Sequence, residues 1–193
     1  MTIVRAASQA GRAGLALRAK IDRQAQTGFS PLFGSTYEWW GFDPDGNLKW
    51  YDWGHNLVVN VGLNEILDKV FKASGYTAAW YVGLTDGTPT VAAGDTMASH
   101  GGWVEVTAYD EANRQTLTLG SVSGQAVNNS ASKATFTIGT NSTTIGGAFV
   151  VTNNTKSGTT GTLYGAAAFT GGDKTLDDGD TLAVQINLSA AAA

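Results

Sequence analysis

The chain contains no cysteine, which excludes a disulfide framework and a thiolate metal site. Its stability must come from burial or from assembly. No window approaches the roughly 18 apolar residues of a membrane-spanning helix. Arg5, Arg12 and Arg18 interrupt the apolar runs of the N-terminus, so it does not read as a secretory signal. Charge is scarce too: charged residues make up 15% of the chain, against roughly 25% in an ordinary domain. Gly, Thr, Ser and Asn take their place, a balance that suits β-structure with many turns. The 193 residues, 42% of them hydrophobic, fit one medium domain, or a small domain with an appendage.

What charge there is divides unevenly. Residues 1–26 hold five basic residues (Arg5, Arg12, Arg18, Lys20, Arg23) and one acidic, Asp22, for +4; the remainder holds seven basic and fifteen acidic, for −8. This is a basic arm on an acidic body. A helix near 12–25 is expected in the arm, with a short stripe of Ala13, Leu17 and Ile21 that needs a surface to lie on. Phe29, Leu32 and Phe33 are expected to anchor the following linker, so residues 1–33 form the arm and 34–193 the body.

The body opens on "YEWWGFDPDGNLKWYDW", residues 37–53, where Trp39, Trp40, Trp50 and Trp53 crowd around Asp45–Gly46. Two aromatic runs flanking Asp-Gly predict a β-hairpin. Strand alternation then requires some rings to be buried and others to face outward. The inward rings are expected to act as core; the outward face is either a protein interface or a ligand shelf. A helix over 62–73 follows from Leu63, Ile66, Leu67, Val70 and Phe71 at i, i+3, i+4, i+7, i+8, with Asn60 and Gly75 as candidate caps. Beyond it, strands are expected at 78–84, 102–109, 115–122, 133–139, 144–152, 163–170 and 181–189. The expected fold is mainly β: a jelly-roll-like antiparallel β-sandwich, or an immunoglobulin-like one, with one helix packed on it and an N-terminal helical arm. Gly and Ala in "TIGGAFVV" and "LYGAAAF" mark places where the helix or the tryptophan hairpin approaches closely.

Chemical motifs are sparse. His55 stands near Asp52, and His100 near Ser99 and Asp95, but no nucleophile elbow surrounds either histidine. Asp173, Asp177, Asp178 and Asp180 in "DKTLDDGDT" offer oxygen ligands without EF-hand spacing, and read better as a solvated acidic turn. "GLTDGTP" and "AAGDT" lack the phosphate-loop pattern. Nucleic-acid binding needs basic residues interleaved with aromatics; here the aromatics lie on the acidic body and the basic residues on the arm. No catalytic residue, metal or cofactor is therefore expected.

The phrases "LVVNVGLNEILDKVF", "WYVGLTDGTPTVAAGDTMASHGGWVEVTAYDEANR" and "GTLYGAAAFTGGDKTLDDGDTLAVQINL" resemble a family of virion structural proteins of tailed bacteriophages, across about residues 40–189. The resemblance implies a non-enzymatic component, best matched by capsid cement (decoration) proteins with a jelly-roll-like body. A tail- or fibre-associated adhesin that binds host surface glycans is the alternative. The expected location is the outer capsid surface, with the major capsid protein and a second copy of the chain as partners, and neither membrane nor specific nucleic acid. Residues 1–26 lie outside the similarity. Composition alone assigns shell contacts to Arg5, Arg12, Leu15, Leu17, Arg18, Ile21, Arg23, Phe29 and Phe33, with Trp39, Trp40, Trp50 and Trp53 as possible interface aromatics.

Overall fold

The computed structural model describes residues 32–72, 74–75 and 79–191. The arm and its candidate contacts Arg5, Arg12, Leu15, Leu17, Arg18, Ile21, Arg23 and Phe29 lie outside the described residues. The chain divides into two compact units, and the larger, Phe33–Ser189, is the body. Phe33 therefore belongs to the body and not to the arm: it is half-buried within the first strand.

The body is an antiparallel β-sandwich with one described helix. Strands β1 (Leu32–Phe42) and β2 (Leu48–Val58) form the expected hairpin. Helix α1 (Asn60–Phe71) follows, then β3 (Tyr81–Asp86), β4 (Val104–Val106), β5 (Gln115–Thr116), β6 (Ala126–Asn128) and β7 (Ala134–Thr137). The chain ends with β8 (Thr143–Ile145), β9 (Gly147–Val151), β10 (Leu163–Ala168), β11 (Lys174–Leu176) and β12 (Thr181–Ala191). A ten-stranded sheet runs β4-β3-β9-β10-β2-β1-β12-β6, with β5 on β3 and β7 on β12; β11 and β8 form a separate pair.

Strand β2 is the point at which this sheet changes layer. Its residues from Leu48 to His55 pair with β1, and those from Asn56 to Val58 pair with β10. Gly54 sits at the change, where a Cβ would collide with the Ala168 carbonyl oxygen. Inward side chains of both limbs meet in one core: Tyr37, Trp39, Phe136, Leu182, Val184 and Ile186 from one, Val82, Leu84, Ala148, Val150 and Tyr164 from the other. Each fully buried aliphatic there contributes roughly 1.5–3 kcal/mol, which a chain without cross-links needs.

Several elements depart from expectation. The stretch 144–152 divides into β8 and β9 at Gly146, which passes so close to the Gly87 backbone that no Cβ fits. β11 falls in the stretch read as an acidic turn, and β6 falls between two expected strands. Helix α1 is not capped by the Asn60 side chain; its N-cap is Val59, without a side-chain cap bond. Instead Val59 N donates to Tyr164 O at 3.0 Å, and Asn60 N donates to Ala93 O at 2.8 Å. The helix ends at Phe71 with Lys72 in right-handed backbone, before the chain reaches Gly75. The helix does approach β10 closely, through Gly62: a Cβ there would lie 2.6 Å from Tyr164 O and 2.8 Å from its Cα. Its apolar stripe is only half used. Ile66 packs on the core, whereas Leu67, Val70 and Phe71 are 51%, 67% and 78% exposed.

Candidate functional site

The β1–β2 hairpin closes through Asp43. Asn47 N donates to the Asp43 carboxylate at 2.7 Å and Gly46 N to Asp43 O at 3.0 Å, while Gly46 takes φ of 82°, a value that favours glycine. Strand parity then sorts the rings. Tyr37 and Trp39 point inward and are fully buried. Trp39 meets Phe169 edge-on at 4.6 Å, and Trp50 meets the same ring at 5.4 Å. Trp39 and Trp50 are thus interior packing, which leaves Trp40 and Trp53 of the four candidate interface tryptophans on the outer face.

That outer face is a built arrangement. Trp40 stands opposite Tyr51 in the register, their rings 5.3 Å apart. Glu38 stands opposite Trp53, and Thr36 opposite His55; Trp53 and His55 meet edge-on at 5.3 Å. Tyr51 OH donates to Glu38 Oε2 at 2.9 Å. From β12, Asn187 Nδ2 donates to Glu38 Oε1 at 2.8 Å, and Gln185 Nε2 donates to Asn187 Oδ1 at 2.9 Å. The Lys133 ammonium lies 4.7 Å from the Trp40 ring centroid, a cation–π contact. Partial desolvation, with the hydrogen bond to Glu38 next, raises the Tyr51 pKa, so its phenol remains a donor. Tyr51 and Trp53 are 47% and 43% exposed. A carboxylate thus sits oriented among aromatic rings on strands that cannot easily shift.

The reverse face of the same hairpin carries Asp52, almost fully buried. It accepts from Trp53 N (2.8 Å), Thr170 N (3.1 Å), Thr170 Oγ1 (2.8 Å) and Gly171 N (3.1 Å), and pairs with Lys174 at 3.1 Å. Burial alone would raise its pKa, but the bonds from Thr170, Lys174 and the backbone outweigh it and hold the carboxyl below the usual range. Asp52 and His55 point to opposite faces of β2, so the two cannot form a dyad. His100 stacks on Trp103 at 3.7 Å, with Nδ1 3.2 Å from Trp103 O, and Asp95 accepts from Ala92 N.

His100 and Trp103 line a recess of about 200 Å³ together with Glu105 and Ser157. The Glu105 carboxylate is already engaged: Arg114 Nε and Nη2 donate to it at 2.9 and 2.7 Å, and Ser157 N at 3.0 Å. Arg114, itself buried, also donates to Asn153 O and Gly158 O. This clamp ties β4 and the segment before β5 to the β9–β10 loop, with both carboxylate oxygens engaged. In the acidic 173–180 segment, Asp173 accepts from Thr88, Asp177 from Ser142 N, and Asp180 pairs with Lys49. Among the described residues no group of three or more His, Asp or Glu side chains is placed to hold a metal ion, and no helix is long and apolar enough to cross a membrane.

No family model, curated protein or solved structure matches the chain. Glu38, Tyr51, Lys133, Gln185 and Asn187 were not singled out in the sequence, although a signal existed. Glu38 lies two residues from Trp40 in "EWW", and so on the same strand face. Gln185 and Asn187 occupy the polar positions of the alternating "LAVQINL".

Proposed function

We propose that the chain is a non-enzymatic virion structural protein of the capsid cement type, attached to the outer shell through its N-terminal arm. The resemblance of its extended phrases to phage virion proteins motivates this reading, and the segregation of basic charge into residues 1–26 supports it. One structural observation carries most weight. Leu67, Val70 and Phe71 form an apolar stripe on α1 that faces solvent, on a body with little charge. A monomer that works alone rarely leaves such a stripe open; its presence favours a protein partner, and the i, i+3, i+4 spacing suits a helix laid into a groove. The partner in this reading is the major capsid protein, with a second copy of the chain alongside. Many weak contacts on one lattice then hold by effective concentration.

The test is reconstitution. Shells stripped of the protein are mixed with the purified chain, sedimented and imaged at low resolution. Density at capsomer boundaries is the expected result, and Phe71→Asp is expected to reduce occupancy without moving the unfolding midpoint. Density confined to the tail would transfer the assignment to a tail- or fibre-associated adhesin. Absence from both would overturn the virion reading.

A further inference from the structure

We infer that the outer face of the β1–β2 hairpin, built from Glu38, Trp40, Tyr51, Trp53, Gln185 and Asn187, is a binding site for an uncharged glycan. This stands independently of attachment to a shell. The rings lie in register on neighbouring strands: Trp40 beside Tyr51, with Trp53 one two-residue step along, a step of about 7 Å. The exposed rings of Tyr51 and Trp53 suit the C–H faces of pyranose rings, with the partly buried Trp40 flanking them under Lys133. The groups between them suit hydroxyls. Glu38 is fixed by the Tyr51 phenol and the Asn187 amide, so it offers acceptor positions whose direction is already set, and a carboxylate has about four such positions. The surface pays little ordering entropy on binding, because each polar group is held by its neighbours before the ligand arrives.

Other occupants fit less well. A nucleic-acid strand needs a basic track beside the rings; this face has a carboxylate at its centre and one lysine at its edge. A second copy docked about a two-fold axis through the face would bring the two Glu38 carboxylates together, since such contacts are self-complementary. A wholly apolar partner would bury Glu38 without a cation, at considerable desolvation cost. An acidic polysaccharide would meet the same carboxylate unfavourably. Neutral sugar hydroxyls replace the water on Glu38 without any of these penalties.

Saturation-transfer NMR and intrinsic tryptophan fluorescence on the full chain test the inference, with neutral cello-, chito- and manno-oligosaccharides as probes. Saturable binding is expected for at least one probe, with Trp53 perturbed. The double variant Tyr51→Ala/Trp53→Ala is expected to lose about tenfold or more in affinity with near-ultraviolet signals of the buried Trp39 retained. If the double variant misfolds, Trp53→Ala alone and Glu38→Gln serve in its place, each expected to weaken binding severalfold. No saturable binding by any probe, or binding unchanged in these variants, overturns the inference. So does loss of shell occupancy in the double variant together with no glycan binding by the native chain, because the face would then belong to the lattice.

Discussion

Two buried charges show how single side chains hold this charge-poor body together. Asp52 collects donors from β2 and from the chain just after β10, so it ties the hairpin to the other limb of the sheet. Asp52→Ala leaves those donors and Lys174 without their acceptor, and is expected to cost about 3–5 kcal/mol in urea unfolding; Asp52→Asn, which keeps the shape, should cost less. The pH dependence has a definite sign. The carboxyl titrates lower in the folded protein than in the unfolded chain. Its contribution is therefore complete above the unfolded pKa of about 3.9, and disappears as pH falls through the depressed folded value. Unfolding midpoints of native protein and Asp52→Asn are expected to differ steadily from neutral pH down to about pH 4, and to converge below it. A gap that widens on acidification would refute this. Arg114 works by geometry as much as by charge: its fork serves Glu105 and two carbonyls at once. Arg114→Lys retains the charge but not the fork, and is expected to destabilise by about 2–3 kcal/mol in the same assay.

Among the elements, α1 best separates what pattern alone can tell from what it cannot. Its heptad-like stripe marks a helix at the right place, but periodicity does not say how far the sheet beneath extends. The contact is made at the N-terminal end, where Gly62 rests on Tyr164, and the stripe then runs past the contact into solvent. Gly62→Val is expected to force helix and strand apart and cost about 2–3 kcal/mol, read as a lower thermal midpoint. Leu67→Gln, at an exposed position, should change it by under about 0.5 kcal/mol. An insensitive Gly62→Val variant would show that the helix can slide. The same limit explains the strands. Long alternating segments such as β12 were legible because side-chain period and burial coincide there. β6 and β11 were not, because three-residue strands in Ser- and Asn-rich sequence (β6) or Asp-rich sequence (β11) look like the turns they adjoin. In the hairpin, the density of tryptophan is legible, and parity places Trp39 and Trp40 on opposite faces, but only the packing shows which face is inward. Glu38 escaped notice because its partners, Gln185 and Asn187, come from a strand almost the whole chain away, and only the pairing of β1 with β12 brings them together.

At the scale of the molecule, the distribution of charge makes its own demand. The first 26 residues carry +4 and the rest −8, so an acidic shell attracts the one part and repels the other. In the cement reading this both supplies attachment and turns the body, with its aromatic face, toward the medium. Changing Arg5, Arg12, Arg18 and Arg23 together to Glu leaves one basic residue against five acidic in residues 1–26, hence −4 in place of +4. Every described strand and the helix begin after residue 31, so neither this change nor removal of residues 1–31 takes anything from the described core; the unfolding midpoint is expected to stay within about 0.5 kcal/mol. Shell binding by the native chain should weaken as salt rises from about 0.05 to 0.5 M, since screening shortens from roughly 14 Å toward 4 Å over that range. The Glu variant should bind poorly throughout and show little salt dependence, and the truncated chain should not decorate at all. Glycan binding by the outer face should survive in both, because none of its residues lies in the arm. Co-sedimentation with stripped shells across a salt series, run beside the oligosaccharide titration, separates the two activities. Full occupancy by the truncated chain would place the attachment on the body, with the open stripe of α1 as the first surface to examine.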